Sequence, residues 1–195
     1  MKKLVLASNN PGKLREFQFL LQPLGIEVLT QAQLGIAEAE EPHVTFVENA
    51  LAKARHASRL SGLPALADDS GICVAALGGA PGVYSARYAG EPKSNVRNNE
   101  KLLREMQGIT DRRAHYYCVL VLLHAADDPQ PLIAEGEWHG EIAHEERGEG
   151  GFGYDPLFWL QELGKMSSEL PRDEKHAISH RGKALKVMLE KLKLS

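Results

Sequence analysis

The sequence predicts an α/β fold: a mixed sheet with flanking helices. Two observations carry that prediction. Short apolar runs alternate with stretches whose apolar residues recur at helical spacing, the pattern of chains that pack helices on a sheet. Residues 114–124 and 132–143 are long runs rich in β-branched and aromatic residues, joined by Asp127-Asp128-Pro129; they read as an antiparallel ribbon and make the sheet mixed.

Residues 3–8 form the first strand, and residues 11–22 a helix in which Leu14, Phe17, Leu20, Leu21 and Leu24 share one side. Gly25 ends it before a second strand, Ile26-Glu27-Val28-Leu29. After an acidic, irregular segment at 31–43, Thr45 opens a helix that runs to about Leu60, with Glu48 in capping-box position and Gly62 as the stop. Pro64-Ala65-Leu66-Ala67 is a brief strand that ends at Asp68-Asp69. The glycines and prolines of 78–92 leave few regular elements there, and a polar helix follows over about 94–107. Beyond the ribbon lie a glycine-rich loop from Gly148 to Pro156, a short strand at Leu157-Phe158-Trp159, and a last helix over about 179–192 with Ser179 as its cap.

A chain of 195 residues with 43% hydrophobic and 25% charged residues has the composition of an ordinary globular protein. Its net charge of -3 excludes a general nucleic-acid binder, whose footprint is basic, but leaves room for a single nucleotide. The first apolar run is broken by Asn9-Asn10-Pro11 before it could serve as a signal peptide, and no run approaches a membrane span. Cys73 and Cys118 sit in apolar runs and read as buried thiols, so a cytoplasmic location is expected.

Ser8-Asn9-Asn10-Pro11-Gly12-Lys13 places backbone N–H groups and an ammonium at a helix N-terminus, an arrangement suited to anions. It is not a Walker A loop, because Ala7 stands where that motif begins with glycine and Leu14 follows the lysine. Asp68-Asp69 supplies hard oxygen ligands of the kind Mg²⁺ takes beside phosphate, and Glu38, Glu40 and Glu41 could add another. Gly148 to Gly153 matches G-x-G-x-x-G only formally, since no helix follows. It reads instead as backbone approaching a flat ligand, with Phe152 or Tyr154 stacking. His180-Arg181 places cations at a helix start, against the macrodipole, which favours a functional role over a structural one.

These segments together resemble the Ham1-like family of inosine/xanthosine triphosphate pyrophosphatases. The resemblance spans nearly the whole chain. It rests on the Ser8–Lys13 turn, Thr45-Phe46-Val47-Glu48-Asn49-Ala50, Ala67-Asp68-Asp69-Ser70-Gly71, the stretch from Gly79 to Tyr88, Gly151-Phe152-Gly153-Tyr154-Asp155-Pro156 and Ile178-Ser179-His180-Arg181-Gly182. Met166-Ser167-Ser168-Glu169-Leu170 is a looser version of a segment usually richer in Thr and Ala.

The resemblance implies an ITPase-like domain over residues 1–195, two-lobed with the active-site cleft between lobes, acting as a homodimer. It implies hydrolysis of dITP, ITP, XTP and dXTP to the monophosphate and pyrophosphate, which clears deaminated purines from the nucleotide pool. By carry-over, Ser8, Asn9, Asn10, Pro11, Gly12 and Lys13 hold the triphosphate, with Lys53 a further phosphate contact. Asp69 and either Glu41 or Glu40 hold Mg²⁺, and Asp69, helped by Asp68, accepts the proton of the attacking water. Ser70, Phe152, Gly153, Tyr154, Asp155, Lys175, His180 and Arg181 hold sugar and base. Two alternatives stand beside this: a Maf-type pyrophosphatase acting on modified or pyrimidine nucleotides, and a nucleotide sensor without catalysis.

Overall fold

The structure is a computed structural model that describes residues 1–194, apart from the surroundings of Pro11, Gly12, Glu16, Phe19, Leu20 and Leu194. Its sheet has seven strands. In chain order they are β1 (Lys3–Leu6), β2 (Glu27–Thr30), β3 (Ala65–Val74), β4 (Arg113–Leu123), β5 (Leu132–Ile142), β6 (Phe158–Leu160) and β7 (Lys165–Met166). They lie in the order β2-β1-β3-β4-β5-β6-β7. β1 is parallel to β2 and to β3, whereas β6 is antiparallel to both β5 and β7, so the sheet is mixed, as the two kinds of run required. The link between β4 and β5 is tied by Asp128, which accepts from the His124 and Gln130 amides at 2.9 Å, and is too short for a crossover.

The helices are α1 (Pro11–Leu21), α2 (Phe46–Ser61), α3 (Asn95–Glu105), α4 (Arg172–Ile178) and α5 (His180–Leu194). α2 starts and stops where its sequence signals lie. Thr45 is the N-cap, its side chain accepting from the Glu48 amide, and Gly62 is the left-handed C-cap. Its buried side carries Ala50, Ala54 and Ala57, small enough to let the helix lie close on the sheet.

The residues fall into two compact units. The first holds Met1–Asp69, Val119–Ala134 and Val187–Ser195, and the second Ser70–Cys118 and Glu135–Lys186. The core of the first includes Leu4, Val5, Leu6, Phe17, Leu21 and Leu66. The second is centred on Ile72, Leu102, Met106, Tyr116, Trp138, Leu157 and Phe158. Cys118 is buried and Cys73 half-buried, both as free thiols, and among the described residues no helix is long and apolar enough to cross a membrane.

Three elements differ from expectation. β3 does not stop at the aspartates but continues through Ile72-Cys73-Val74, so Asp68 and Asp69 lie within a strand; their turn-like composition is overridden by the apolar residues beyond. Residues Gly82–Arg87 wind into a 3₁₀ turn. α4 precedes the last helix, and its polar sequence, Arg172-Asp173-Glu174-Lys175-His176, carries no apolar periodicity to announce it.

Candidate active site

In the first unit, β3 presents two buried carboxylates in succession. Adjacent residues on a strand point to opposite faces, and each aspartate meets a lysine from a different helix. Lys13, in the first turn of α1, reaches Asp68, with Nζ at 2.8 Å from Oδ1 and 2.7 Å from Oδ2. Lys53, midway along α2, lies 3.4 Å from Asp69 Oδ1 and 2.5 Å from Glu41 Oε1. Each of the twin carboxylates thus has an ammonium of its own within reach.

The turn before α1 is organised by its own side chains. The Asn10 amide donates to Ser8 Oγ at 3.2 Å, and the Lys13 amide donates to Asn10 Oδ1 at 3.3 Å, so Asn10 caps the helix. Asn9 donates to Glu38 at 3.1 Å. Pro11 and Gly12 open α1, and their surroundings lie outside the described residues.

Asn49, one turn before Lys53 and almost wholly buried, had no expected role. It holds the segment that carries Glu41, accepting from the His43 amide at 3.0 Å and donating to the His43 carbonyl at 3.2 Å, and it also hydrogen-bonds Asp69. The available signal was a polar residue on the otherwise alanine-rich buried side of α2. Glu40 is exposed and lines a separate surface groove with Ala52, Arg55, His56 and Arg59, so Glu41 is the glutamate brought to the aspartates.

Burial pushes the Asp69 carboxyl above its ordinary value; Lys53 and Asn49 pull it back, while Glu41 and Asp68 add to the rise. Burial disfavours the Lys53 ammonium, but Asp69, Asp68 and Glu41 together outweigh it and raise its pKa above the ordinary lysine value.

In the second unit, Ser179 ends α4 and begins α5, its Oγ accepting from the Gly182 amide at 3.2 Å. A side chain at Gly182 would collide with the His176 carbonyl, and one at Gly136 on β5 with the His180 carbonyl. These glycines let α5 start hard against α4 and the sheet. His180 consequently stacks on Tyr116, with centroids 4.8 Å apart and planes at 11°, a partner that no sequence signal marked. Arg181 Nη2 donates to Ser70 Oγ at 3.5 Å.

The Phe152 ring is 63% exposed, with the Lys175 ammonium 5.2 Å from its centroid. Tyr154 is not available as a stacking surface: its ring lies in the core and its hydroxyl donates to the Ser85 carbonyl at 2.7 Å. Asp155 also points inward. It accepts from Ser167 at 2.8 Å, Tyr116 at 3.4 Å and the Phe152 amide at 2.7 Å, and pairs with Lys175. Gly150 and Gly151 are required by this packing, since a side chain at Gly151 would strike the Asp155 carboxylate and one at Gly150 the Ser168 carbonyl, whereas Gly153 has open space around it.

Comparison with known proteins agrees over the whole length. The Ham1 family matches residues 4–191. A dITP/XTP pyrophosphatase of Ralstonia nicotianae is 66% identical over 100% of this chain and 98% of that protein, and one of Nitrosomonas europaea is 65% identical over 98% and 95%. Among solved structures, a HAM1 protein from Coxiella burnetii superposes with a TM-score of 0.97 at 47% identity, covering 100% of both chains. A nucleoside-triphosphatase / dITP/XTP pyrophosphatase from Mycobacterium abscessus gives 0.81 at 36%, covering 97% of this chain and 99% of that one. With sequence and fold matched from end to end, the chain belongs to the Ham1 family.

Proposed function

We propose that this protein is a nucleoside-triphosphate pyrophosphohydrolase that converts dITP, ITP, XTP and dXTP to monophosphate and pyrophosphate, removing deaminated purines from the nucleotide pool. The observation that carries the chemistry is the cluster of Lys13 on Asp68 and Lys53 between Glu41 and Asp69. The relatives at 62–66% identity are dITP/XTP pyrophosphatases, which supports the substrate class.

The donor set fits a hard divalent cation. Glu41 and Asp69 both approach one ammonium, so their oxygens already favour positive charge at that place. Among the described residues no three His, Cys, Asp or Glu side chains form a metal cage. Mg²⁺ needs none, because it takes one or two carboxylates and completes its shell with phosphate oxygens and water. Asp69 and Glu41 would hold it, and when bound it would neutralise charge on the polyphosphate and the departing pyrophosphate.

The chain's own residues do the rest. Lys13 and Lys53 have flexible arms, and each can exchange its carboxylate for a phosphate oxygen. The Ser8–Lys13 turn brings Lys13 to the N-terminus of α1, where the helix dipole also favours an anion. Water attacks the α-phosphorus, an O–P bond forms, the bond to the bridging oxygen of the β-phosphate breaks, and Asp69 accepts the water's proton.

We assign the base to Phe152, Ser70, His180 and Arg181. The exposed ring offers a stacking face, and donors at the 6-oxo edge of hypoxanthine or xanthine would clash with the amino group of adenine. A homodimer and a cytoplasmic location belong to the same reading by family resemblance.

The test is pyrophosphate release from ITP, XTP, ATP and UTP with Mg²⁺. Turnover of ITP and XTP in preference to ATP and UTP is expected. Preference for UTP would favour a Maf-type enzyme, and tight binding without turnover a sensor.

A further inference from the structure

We propose that Asn99 is a positioning residue that fixes the Phe152 platform from the side of α3 and so sets how well the enzyme separates one purine base from another. This rests on the reading of Phe152 as the surface on which the base stacks.

Asn99 lies in the second turn of α3 and is 4% exposed. Its Nδ2 donates to the Gly153 carbonyl at 3.2 Å, across a separation of 54 residues. Gly153 immediately follows Phe152 and has φ of +63°, in the left-handed region, so the chain turns sharply beside the exposed ring. Inside the loop, the Asp155 amide donates to the Phe152 carbonyl at 3.3 Å and the Phe152 amide to Asp155 Oδ2 at 2.7 Å. Those bonds hold the loop to itself. Asn99 ties this turn to α3, as Lys175 ties the same loop to α4 through Asp155.

The neighbouring residue shows that the first turns of α3 act as a clamp. Asn98 accepts from the Ala89 amide at 2.7 Å and donates to the Ser85 and Ala86 carbonyls. The Tyr154 hydroxyl donates to the same Ser85 carbonyl. Asn98 and Tyr154 thus close a frame around residues 85–89, and Asn99 extends that frame to the carbonyl next to the platform.

The second amide atom is the telling one. Asn99 Oδ1 is buried and has no hydrogen-bond partner among the described residues. A buried acceptor without a partner costs stability, and an apolar side chain of similar shape would avoid that cost. A leucine would remove that cost but take the donor from the Gly153 carbonyl, so the two effects on stability oppose each other. What the amide adds is one directed N–H on the Gly153 carbonyl, and a bond that aims the loop acts on orientation rather than on chemistry.

Asn99→Leu and Asn99→Asp remove the donor while keeping the shape. Pyrophosphate release from ITP and ATP, together with thermal unfolding, reads the outcome. Both variants should raise KM for ITP about tenfold, leave kcat within about threefold, and lower the ITP-over-ATP ratio of kcat/KM about tenfold. Asn99→Leu should still unfold cooperatively, with a melting temperature within a few degrees of the parent protein's. Unchanged KM and selectivity in both variants would overturn the inference. So would an Asn99→Leu protein that fails to fold, because the amide would then be serving stability. Phe152→Ala separates the two readings: unaltered KM and selectivity in that variant would remove the stacking platform itself, whatever Asn99 does.

Discussion

Two buried carboxylates in this protein are each held by a lysine, Asp68 by Lys13 and Asp155 by Lys175, yet their surroundings differ in kind. Asp155 also accepts from a serine hydroxyl, a tyrosine hydroxyl and a backbone amide, groups fixed by the fold. Near Asp68 and Asp69 the charge is balanced by Lys13 and Lys53, whose heads sit on flexible four-carbon arms, and Glu41 stands in a partly exposed position. A carboxylate tied by fixed donors is part of the scaffold. One balanced by movable ammonium groups can change partners, which is what binding a polyphosphate and a cation demands. Charge and burial are alike at the two sites; what differs is the kind of group that stands beside each carboxylate.

The sharpest way to break this comparison is Asp69→Asn. Removing the proposed proton acceptor should lower kcat/KM by about a thousandfold or more, with circular dichroism unchanged. A rate within tenfold of the parent would remove Asp69 from the mechanism.

Asp155→Ala addresses the other side. It strands the Lys175 ammonium and unties Ser167, Tyr116 and Phe152 at once, so urea denaturation should show a loss of about 3–5 kcal/mol. Intact stability with abolished turnover would invert the assignment of the two carboxylates.

Lys13→Ala should do both kinds of damage on a smaller scale. It weakens turnover through the lost phosphate contact, and it strands Asp68, whose side chain is 1% exposed. Lys13 itself keeps 20% of its side-chain exposure, so the expected loss is about 2 kcal/mol, below that of a fully buried pair. Urea denaturation and steady-state kinetics on one preparation check the two together. Full stability would show that the Asp68 carboxylate does not depend on Lys13.

The smallest effect is a titration. Carbon-13 NMR of the Asp69 carboxyl in the metal-free protein should place its midpoint above the ordinary aspartate value of 3.8. Lys53→Met removes a cation that lowers it and should move the midpoint up; Glu41→Gln removes a like charge and should move it down. Because the folded carboxyl holds its proton more tightly than the unfolded one, its contribution to stability falls as pH rises from the unfolded value through the folded one. Opposite movements in the two variants are the requirement; movement in the same direction would refute the electrostatic account.

The sequence by itself determined the features that local chemistry controls. Thr45, Glu48 and Gly62 mark the ends of α2, the apolar periodicity marks α1, and the alternation of runs marks the mixed sheet. Ordered motifs along the whole chain pointed to the family. Tertiary structure alone decided which charges meet. Lys13 and Asp68 are 55 residues apart, and nothing in either neighbourhood says that β3 turns successive aspartates toward two different helices. It also decided that Asp155 and Tyr154 face inward, that Tyr116 lies under His180, and that Asn49 and Asn99 tie loops together. Periodicity and caps depend on neighbours within a turn or two, so they can be read along the chain. The partner of a buried polar atom depends on how distant segments pack, and only the folded backbone specifies that.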